Sequence, residues 1–596
     1  MFEAAKKLSV LFNKQEKKKF ILLFAMMIIA AIFETIGIGL IVPFVGVVTN
    51  ADFIQQQAVL AYIYNLFNFQ STNGFIAFLV GILLLVFLLK NIYLLFFFYV
   101  QFRIILNQQV KLSRTLFHEY LTKPYTFHLQ RNSADLLRNV NGEVSNVFQG
   151  IMMSSFQLAT ELLIVACILM LLFITAPLAT LTAFIILTVS VLSFYILFRK
   201  KISHLGIEQQ RVNGTMIKWV NQGLGASKEV KVSGKEAYFV DAYGRQSQIK
   251  ANNGRYLKML EQAPRLFIET ILVFTVLATM LIVVFQAANT TEIVSTMALF
   301  AMAAFRLMPS ITRVMALITA IRVHQPALNV VYEDLFNTKR KEKEENETDE
   351  EQMKTVRNND KRSFVQSLQL NDVSYRYPMQ EEWAVKNISL TIPIGESAAF
   401  VGASGAGKTT IVDILLGLLI PEKGSVLIDG KELKKQKSLW QQKIGYIPQF
   451  IFLSDDTIRK NVAFGYESHD INDDDVWRAL EQAQLKEFVE QLPDQLETNV
   501  GERGVKLSGG QRQRIGIARA LYTNPEILFM DEATSALDTN TEKEIMEAVD
   551  GLKGEKTLII IAHRLSTIEN CNIVFKVNKG RLVKVDQKSE RIREVN

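Results

Sequence analysis

The chain has 596 residues, too many for one hydrophobic core, so at least two domains are expected. Its formal net charge of +7 comes largely from basic residues in loops beside apolar runs, a pattern of membrane topology that excludes nucleic acid as the partner. Two cysteines, Cys167 and Cys571, exclude a disulfide framework.

Six apolar stretches, 20–48, 75–100, 151–174, 178–198, 266–285 and 293–319, are each long enough to cross a bilayer as a helix. The segment before the first carries Lys6, Lys7, Lys14, Lys17, Lys18 and Lys19, and the loop after the second carries Arg103, Lys111, Arg114, Lys123, Arg131 and Arg138. The loop 199–262 is richer still, whereas 52–74, 175–177 and 286–292 hold no Lys or Arg. That asymmetry places both termini in the cytoplasm of a multi-pass protein. The first stretch is too long for a cleavable signal peptide and has no small-residue cleavage site.

In the outer segment 51–74, Phe53, Ile54, Val59, Leu60, Tyr62, Ile63, Leu66 and Phe67 form a helical stripe opposed by Gln55, Gln56, Asn65 and Asn68. Such a helix either lies in the membrane interface or packs on the spans as an ordinary loop helix.

Charges inside the spans carry the substrate information. Lys90 and Arg306 both fall roughly 20 Å below the outer boundary at about 1.5 Å per residue. Arg265 opens the fifth span on the cytoplasmic side, and Arg313 lies two turns beyond Arg306. Read as a cavity, Lys90, Arg265 and Arg306 suit an anionic lipid head group such as a phosphate or pyrophosphate. The competing reading is that they snorkel to the interface or pair with Glu34, Glu161 or Glu269.

A charged run containing Lys339-Arg340-Lys341 and Glu344-Glu345-Asn346-Glu347 cannot build a core. The domains are therefore drawn as a six-span transmembrane domain over 1–337, a charged linker over 338–363 and a nucleotide-binding domain over 364–596.

In the last of these, the apolar strand 397–401 feeds Gly402-Ala403-Ser404-Gly405-Ala406-Gly407-Lys408-Thr409, and helical spacing follows from Thr410. This is the strand, loop and helix context of a phosphate loop. Gly402, Ser404, Gly405 and Gly407 let backbone N–H groups face phosphates at a helix N-terminus, Lys408 pairs with the β- and γ-phosphates, and Thr409, followed by Thr410, reaches Mg²⁺. The strand 527–530 ends in Asp531, which suits the Mg²⁺ shell, and Glu532, which suits polarisation of a water.

Between these motifs stands Leu507-Ser508-Gly509-Gly510-Gln511. The three in this order resemble the nucleotide-binding domain of an ATP-binding cassette (ABC) protein, and the membrane half resembles the exporter type. The expected fold is an α-helical six-span membrane domain followed by an α/β phosphate-loop ATPase domain. The resemblance implies ATP and Mg²⁺ as cofactors. It makes Glu532, His563 and Gln449 catalytic, with Gln449 also at the metal beside Thr409 and Asp531. Tyr377 stacks on adenine, Asp538 belongs to the loop after the carboxylates, and Gly501-Glu502-Arg503 matches the cross-linking loop. Ser508, Gly510 and Gln511 act on the nucleotide held by a partner chain, so a homodimer is implied. Coupling helices are expected near 131–137 and 219–226.

Two patches, Glu34-Thr35-Ile36-Gly37-Ile38-Gly39-Leu40-Ile41-Val42-Pro43-Phe44 and Phe305-Arg306-Leu307-Met308-Pro309-Ser310, with Ala263-Pro264-Arg265, are similar to PglK-type flippases. That resemblance implies a bacterial plasma-membrane transporter that turns over polyprenyl-pyrophosphate-linked oligosaccharides from the inner to the outer leaflet. A multidrug or other lipid exporter competes with it. An ATP-gated channel or regulator, which needs no fast turnover, is disfavoured by intact Glu532 and His563.

Overall fold

The computed structural model describes residues 2–49, 52–175, 177–286, 290–337, 363–531, 547, 549–562 and 571–587, with some helical side chains, including those of Pro264 and Arg306, outside that description. The chain forms two compact units, one of 1–123 and 131–346, the other of 124–130 and 347–596.

The first unit is helical, with α1 (Lys14–Gly39), α2 (Thr72–Thr122), α3 (Ser154–Thr175), α4 (Pro177–Gly225), α5 (Glu236–Gln286) and α6 (Thr290–Tyr332) as its long elements. Among the described residues, five stretches are long and apolar enough to cross a membrane: Lys14–Gly37, Thr72–Thr122, Ser133–Ile174, Thr180–Gly225 and Ala303–Phe336. The stretch 266–285 closes α5, where the residues are described only in part. Helix α2 has 51 residues, about 75 Å of rise against a hydrocarbon core of about 30 Å, so half of it extends beyond any bilayer.

Local chemistry sets the ends of these helices. The Ser71 hydroxyl caps α2 by accepting from the Gly74 N–H at 3.2 Å, and α2 stops at Lys123, whose extended backbone is what a following proline demands. Pro177 opens α4, where its missing N–H is no loss. The expected span 20–48 is not one helix. It breaks after Gly39 and resumes as Ile41–Thr49, because Gly37 and Gly39 weaken the helix just before Pro43 removes a donor.

The outer segment folds as Phe53–Gln56 and Ala58–Leu66. Ile54 and Leu60 are buried against Val47 and Phe75, while Val59, Tyr62 and Leu66 remain exposed, so the apolar stripe is split between packing and surface. Beneath it, Ala31, Ile164, Ile168, Leu187, Ile268, Leu307 and Ile311 join α1, α3, α4, α5 and α6 in one core.

The second unit is built on two sheets. The strands are β1 (Ser367–Tyr375), β2 (Val385–Pro393), β3 (Ser397–Val401), β4 (Lys423–Ile428), β5 (Lys431–Glu432), β6 (Ile444–Ile447), β7 (Ile527–Asp531), β8 (Thr557–Ile561), β9 (Ile573–Asn578) and β10 (Arg581–Gln587). One sheet runs β2-β1-β4-β5, all antiparallel, and the other β10-β9-β3-β8-β7-β6. In the second sheet β9, β3, β8, β7 and β6 are parallel, and β3, β7 and β8 are buried almost throughout, as a sheet covered on both faces requires. The parallel strands present their carboxyl ends on one edge, where ligands of such sheets bind.

Of the two segments where coupling helices are expected, 131–137 holds most of the short helix Ser133–Arg138 and 219–226 the end of a long one. Residues 131–137 belong to the first unit, and it is the short helix Tyr125–Gln130, immediately after Pro124, that belongs to the second. Residues 219–225 form the end of α4, and the short helix that follows is Ser227–Ser233.

The stems of the loop that carries Tyr125–Gln130 meet at one carboxylate. Asp334, 5% exposed, accepts hydrogen bonds from the Tyr120 hydroxyl at 2.5 Å and the Asn139 amide at 3.0 Å, and pairs with Arg131 at 3.6 Å. Asp334 and Asn139 both lie in π-helical turns, Glu333–Asn337 and Asn139–Glu143, which turn side chains out of the ordinary helical register. Asp334→Ala removes the shared acceptor of the Tyr120 hydroxyl and the Asn139 amide, which keep the 3.2 Å bond between them, and is expected to destabilise the unit by about 3 kcal/mol, with Asp334→Asn costing about half as much. Apparent melting temperature in detergent checks the order wild type, Asn, Ala.

Candidate functional site

The carboxyl edge of the parallel sheet assembles the phosphate loop. Strand β3 ends at Val401, Gly402 turns back, and α7 (Lys408–Leu415) starts at Gly407, whose φ of 102° excludes a side chain at that cap. A Cβ on Gly402 would meet the Val577 carbonyl at 2.2 Å, so the loop closes against β9 through its glycine. At Gly405, with φ of 76°, the space a Cβ would take is open, and Ser404 and Gly405 are exposed. Lys408 is 5% exposed, and its ammonium donates to the Gly402 and Ala403 carbonyls at 2.9 and 3.1 Å. The loop, the cation and the helix N-terminus thus form a cradle for an anion.

One turn along, Thr409 is exposed and Thr410 is buried, its hydroxyl 3.1 Å from the Tyr377 hydroxyl. The Tyr377 ring meets Tyr375 edge-on, with centroids 5.3 Å apart. Asp531 ends β7 two strands from β3, on the same edge as the loop. Gln449 is exposed just beyond β6. A hydroxyl at Thr409 and a carboxylate at Asp531 are hard oxygen donors, the set that Mg²⁺ prefers. Glu532, Asp538 and His563 lie outside the described residues.

Three groups gathered here were not singled out in the sequence. Asp413 stands four positions after Thr409 and so shares its helix face, a spacing that was open to reading. Burial, and then the Asp531 carboxylate, raise the Asp413 pKa to about 6. Tyr446 is pushed up by burial and by the same two carboxylates. Tyr125 completes this corner, its hydroxyl raised by burial and by Asp413 and Tyr377. The negative potential these groups report is what a divalent cation would relieve.

The signature segment heads α8 (Gly509–Leu521). Ser508 is its N-cap, its hydroxyl accepting from the Gln511 N–H at 3.2 Å while the Gln511 side chain accepts from the Ser508 N–H at 2.8 Å. This capping box leaves Ser508 exposed and the glycine amides at a helix N-terminus. Gln511 therefore acts on the shape of the loop.

In the membrane unit, Lys90 pairs with Glu34 at 3.1 Å, side chains 12% and 8% exposed, and stands 4.7 Å from the Phe87 ring centre. Arg313 pairs with Glu161 at 3.0 Å. The structure thus gives Lys90 the carboxylate partner that the competing reading named. Arg265 is exposed near the middle of α5, and Arg306 lies on α6 with its side chain outside the described residues.

Two family models match the chain: the ABC transporter transmembrane region over residues 20–309 and the ABC transporter model over 385–535. The ATP-binding cassette sub-family B member 10, mitochondrial, of Mus musculus is 42% identical over 226 residues, 37% of this chain and 32% of that protein. An ATP-dependent lipid A-core flippase of Desulfotalea psychrophila is 40% identical over 231 residues, 39% of this chain and 40% of that protein. The chain therefore matches well under half the length of these relatives. The structure of a bacterial Atm1-family ABC exporter with ATP bound aligns over 98% of this chain and 97% of its own, with a TM-score of 0.76 at 21% identity, which shows the shared fold. With helices of a transmembrane region on one side and a phosphate loop and signature helix on the other, the chain belongs to the ABC transporters, as an exporter-type membrane region fused to a nucleotide-binding domain.

Proposed function

We propose that this protein is an ATP-driven transporter of a bacterial plasma membrane, working as a homodimer with both termini cytoplasmic, that flips a polyprenyl-pyrophosphate-linked oligosaccharide from the inner to the outer leaflet. The observation that carries the ATP-driven part is the cradle of Gly402 to Lys408 facing Asp531 on one sheet edge, with Ser508 presented at the head of α8. Each chain holds one phosphate loop and one signature segment, and two chains complete two sites.

Within each site, the loop amides and Lys408 hold the β- and γ-phosphates, and Tyr377 supports the adenine. Thr409, Asp531 and Gln449 would hold Mg²⁺, which neutralises phosphate charge when bound. Glu532 polarises the attacking water and His563 contacts the γ-phosphate. Ser508 and the Gly510 amide close from the other chain, and Asp538 joins the residues that bind the nucleotide.

Relatives named lipid A-core flippases support a lipid as the substrate, and the PglK-like patches favour a polyprenyl-pyrophosphate-linked one. A multidrug or other lipid exporter is the second reading, favoured by the ion pairs that neutralise Lys90 and Arg313 and so make the membrane unit less basic than its sequence.

ATPase activity of the purified protein in lipid, with and without a polyprenyl-pyrophosphate oligosaccharide, tests the proposal. Stimulation by that lipid and not by apolar drugs is expected, with Glu532→Gln lowering turnover about a hundredfold or more. Drug stimulation alone would select the second reading. Lys90→Ala and Arg306→Ala are expected to remove the lipid stimulation and transport, whereas equal loss of basal and stimulated activity would give them a folding role.

The carboxylate pair gives a pH test. In the folded protein Asp413 keeps its proton to about pH 6, while an unfolded Asp loses it near 3.8, so the folded state binds more protons between these values. Stability of the nucleotide-free protein therefore falls as pH rises through that window. Asp413→Asn, which imitates the neutral acid, should raise the melting temperature at pH 7.5 and flatten its dependence between pH 4 and 6.

A further inference from the structure

Arg519 is a half-buried cation that the proposed chemistry does not use. It sits inside the otherwise apolar run Ile515-Gly516-Ile517-Ala518-Arg519-Ala520-Leu521 of α8. Among the described residues no carboxylate answers it, and burial alone draws its pKa down to about 10. Instead it donates to the Phe452 carbonyl at 2.7 Å, the Asn461 carbonyl at 2.8 Å and the Asn461 side-chain oxygen at 3.1 Å, and stands 4.5 Å from the Phe464 ring centre.

Asn461 is fully buried in the short helix Ile458–Val462 and knots it to the loop that precedes it. Its amide donates to the Ser454 and Thr457 carbonyls at 3.0 and 3.1 Å, and its oxygen accepts from the Ser454 N–H at 3.0 Å. That loop begins at Gln449. Between Gln449 and the knot, Ile451 fills a notch on α8, where a Cβ on Gly516 would lie 2.3 Å from the Ile451 Cδ1. Gly516 and Arg519 are three positions apart, on one helix face. Arg512, four positions before Gly516 on that face, donates to the Leu507 carbonyl at 3.4 Å, bracing the turn that presents Ser508. One face of α8 therefore grips the Gln449 loop at two points and the Ser508 turn at a third.

From this we infer that Arg519 is a positioning residue that makes the two ATP sites of the dimer act together, by fastening the Gln449 loop of one site to the helix that presents Ser508 to the other. The inference rests on the dimeric reading above, in which Gln449 serves the nucleotide of its own chain and Ser508 that of the partner. The guanidinium suits this task because its planar fork spreads its N–H donors over separated acceptors, the Phe452 carbonyl and two oxygens of Asn461, whereas the three donors of a lysine ammonium radiate from one point. Displacement of the Gln449 loop then moves Ser508 with it.

The experiment compares MgATP hydrolysis curves of the full-length protein in lipid for wild type, Arg519→Lys and Gly516→Ala, with melting temperature measured alongside. Expected is a cooperative wild type, with Arg519→Lys losing about tenfold in kcat, the scale of one or two charge-assisted hydrogen bonds, while its KM stays within about twofold. Its Hill coefficient should fall to about 1 with no loss of melting temperature. Gly516→Ala, which pushes Ile451 off the same face, should lower the Hill coefficient too and serves where Arg519→Lys melts early. A wild-type Hill coefficient retained by both variants overturns the inference, as does a non-cooperative wild type or a fall in kcat that tracks melting temperature alone. A wild type without Mg-dependent hydrolysis overturns the proposed function itself, and this inference with it.

Discussion

Charge taken out of water has to be answered by a partner, and much of what holds this chain together is the set of answers it gives. In the membrane unit Lys90 and Glu34 answer each other, both nearly buried, and the buried carboxylates Glu161 and Asp334 are met by the half-exposed Arg313 and Arg131. In the nucleotide unit Lys408 and Arg519 lie against backbone carbonyls and an amide oxygen, which stabilise a cation without cancelling it. The distinction bears on function. Carbonyl oxygens of Gly402 and Ala403 at Lys408 occupy the side of the ammonium that phosphate oxygens would take over, at little loss of hydrogen bonding. An anionic head group at Lys90 must instead share that ammonium with Glu34, which ties its binding there to the Lys90–Glu34 pair.

The nucleotide site was largely legible because its parts are contiguous. A strand, a glycine-rich turn and a helix start are all written within 20 residues or so, and their order in sequence is their order in space. The capping box was legible in the same way, since Ser508 and Gln511 are three apart. Helix ends set by prolines, Pro124 and Pro177, were present in the sequence as well, and Pro124 stands directly before the short helix Tyr125–Gln130.

What escaped the sequence are partners far apart along the chain. Tyr120 and Asp334 are separated by 214 positions and Arg519 and Asn461 by 58, and no local spacing brings them together. Arg131 and Arg138 read as topology charges of a loop, whereas Arg138 is mostly buried between Asp135 and Glu143 and the half-exposed Arg131 reaches the buried Asp334. A charge density that suggests solvent is then the trace of a buried network. Arg519 carried the opposite signal, a single cation among apolar residues, which periodicity alone would assign to a core.

The Asp334 cluster and the Arg519 grip solve one mechanical problem in two settings. A hydrophobic contact is non-directional and lets packed elements slide, but a carboxylate or guanidinium with three donors or acceptors fixed around it tolerates little displacement before one is left bare. Asp334 fixes Tyr120 and Arg131, the two stems of the loop whose tip, Pro124–Gln130, belongs to the nucleotide unit, to the turn that ends α6. Arg519 fixes the Gln449 loop to α8. In each case a polar cluster ties the base of a loop to a long helix or the turn that ends it, where displacement would leave a buried polar group without its partner.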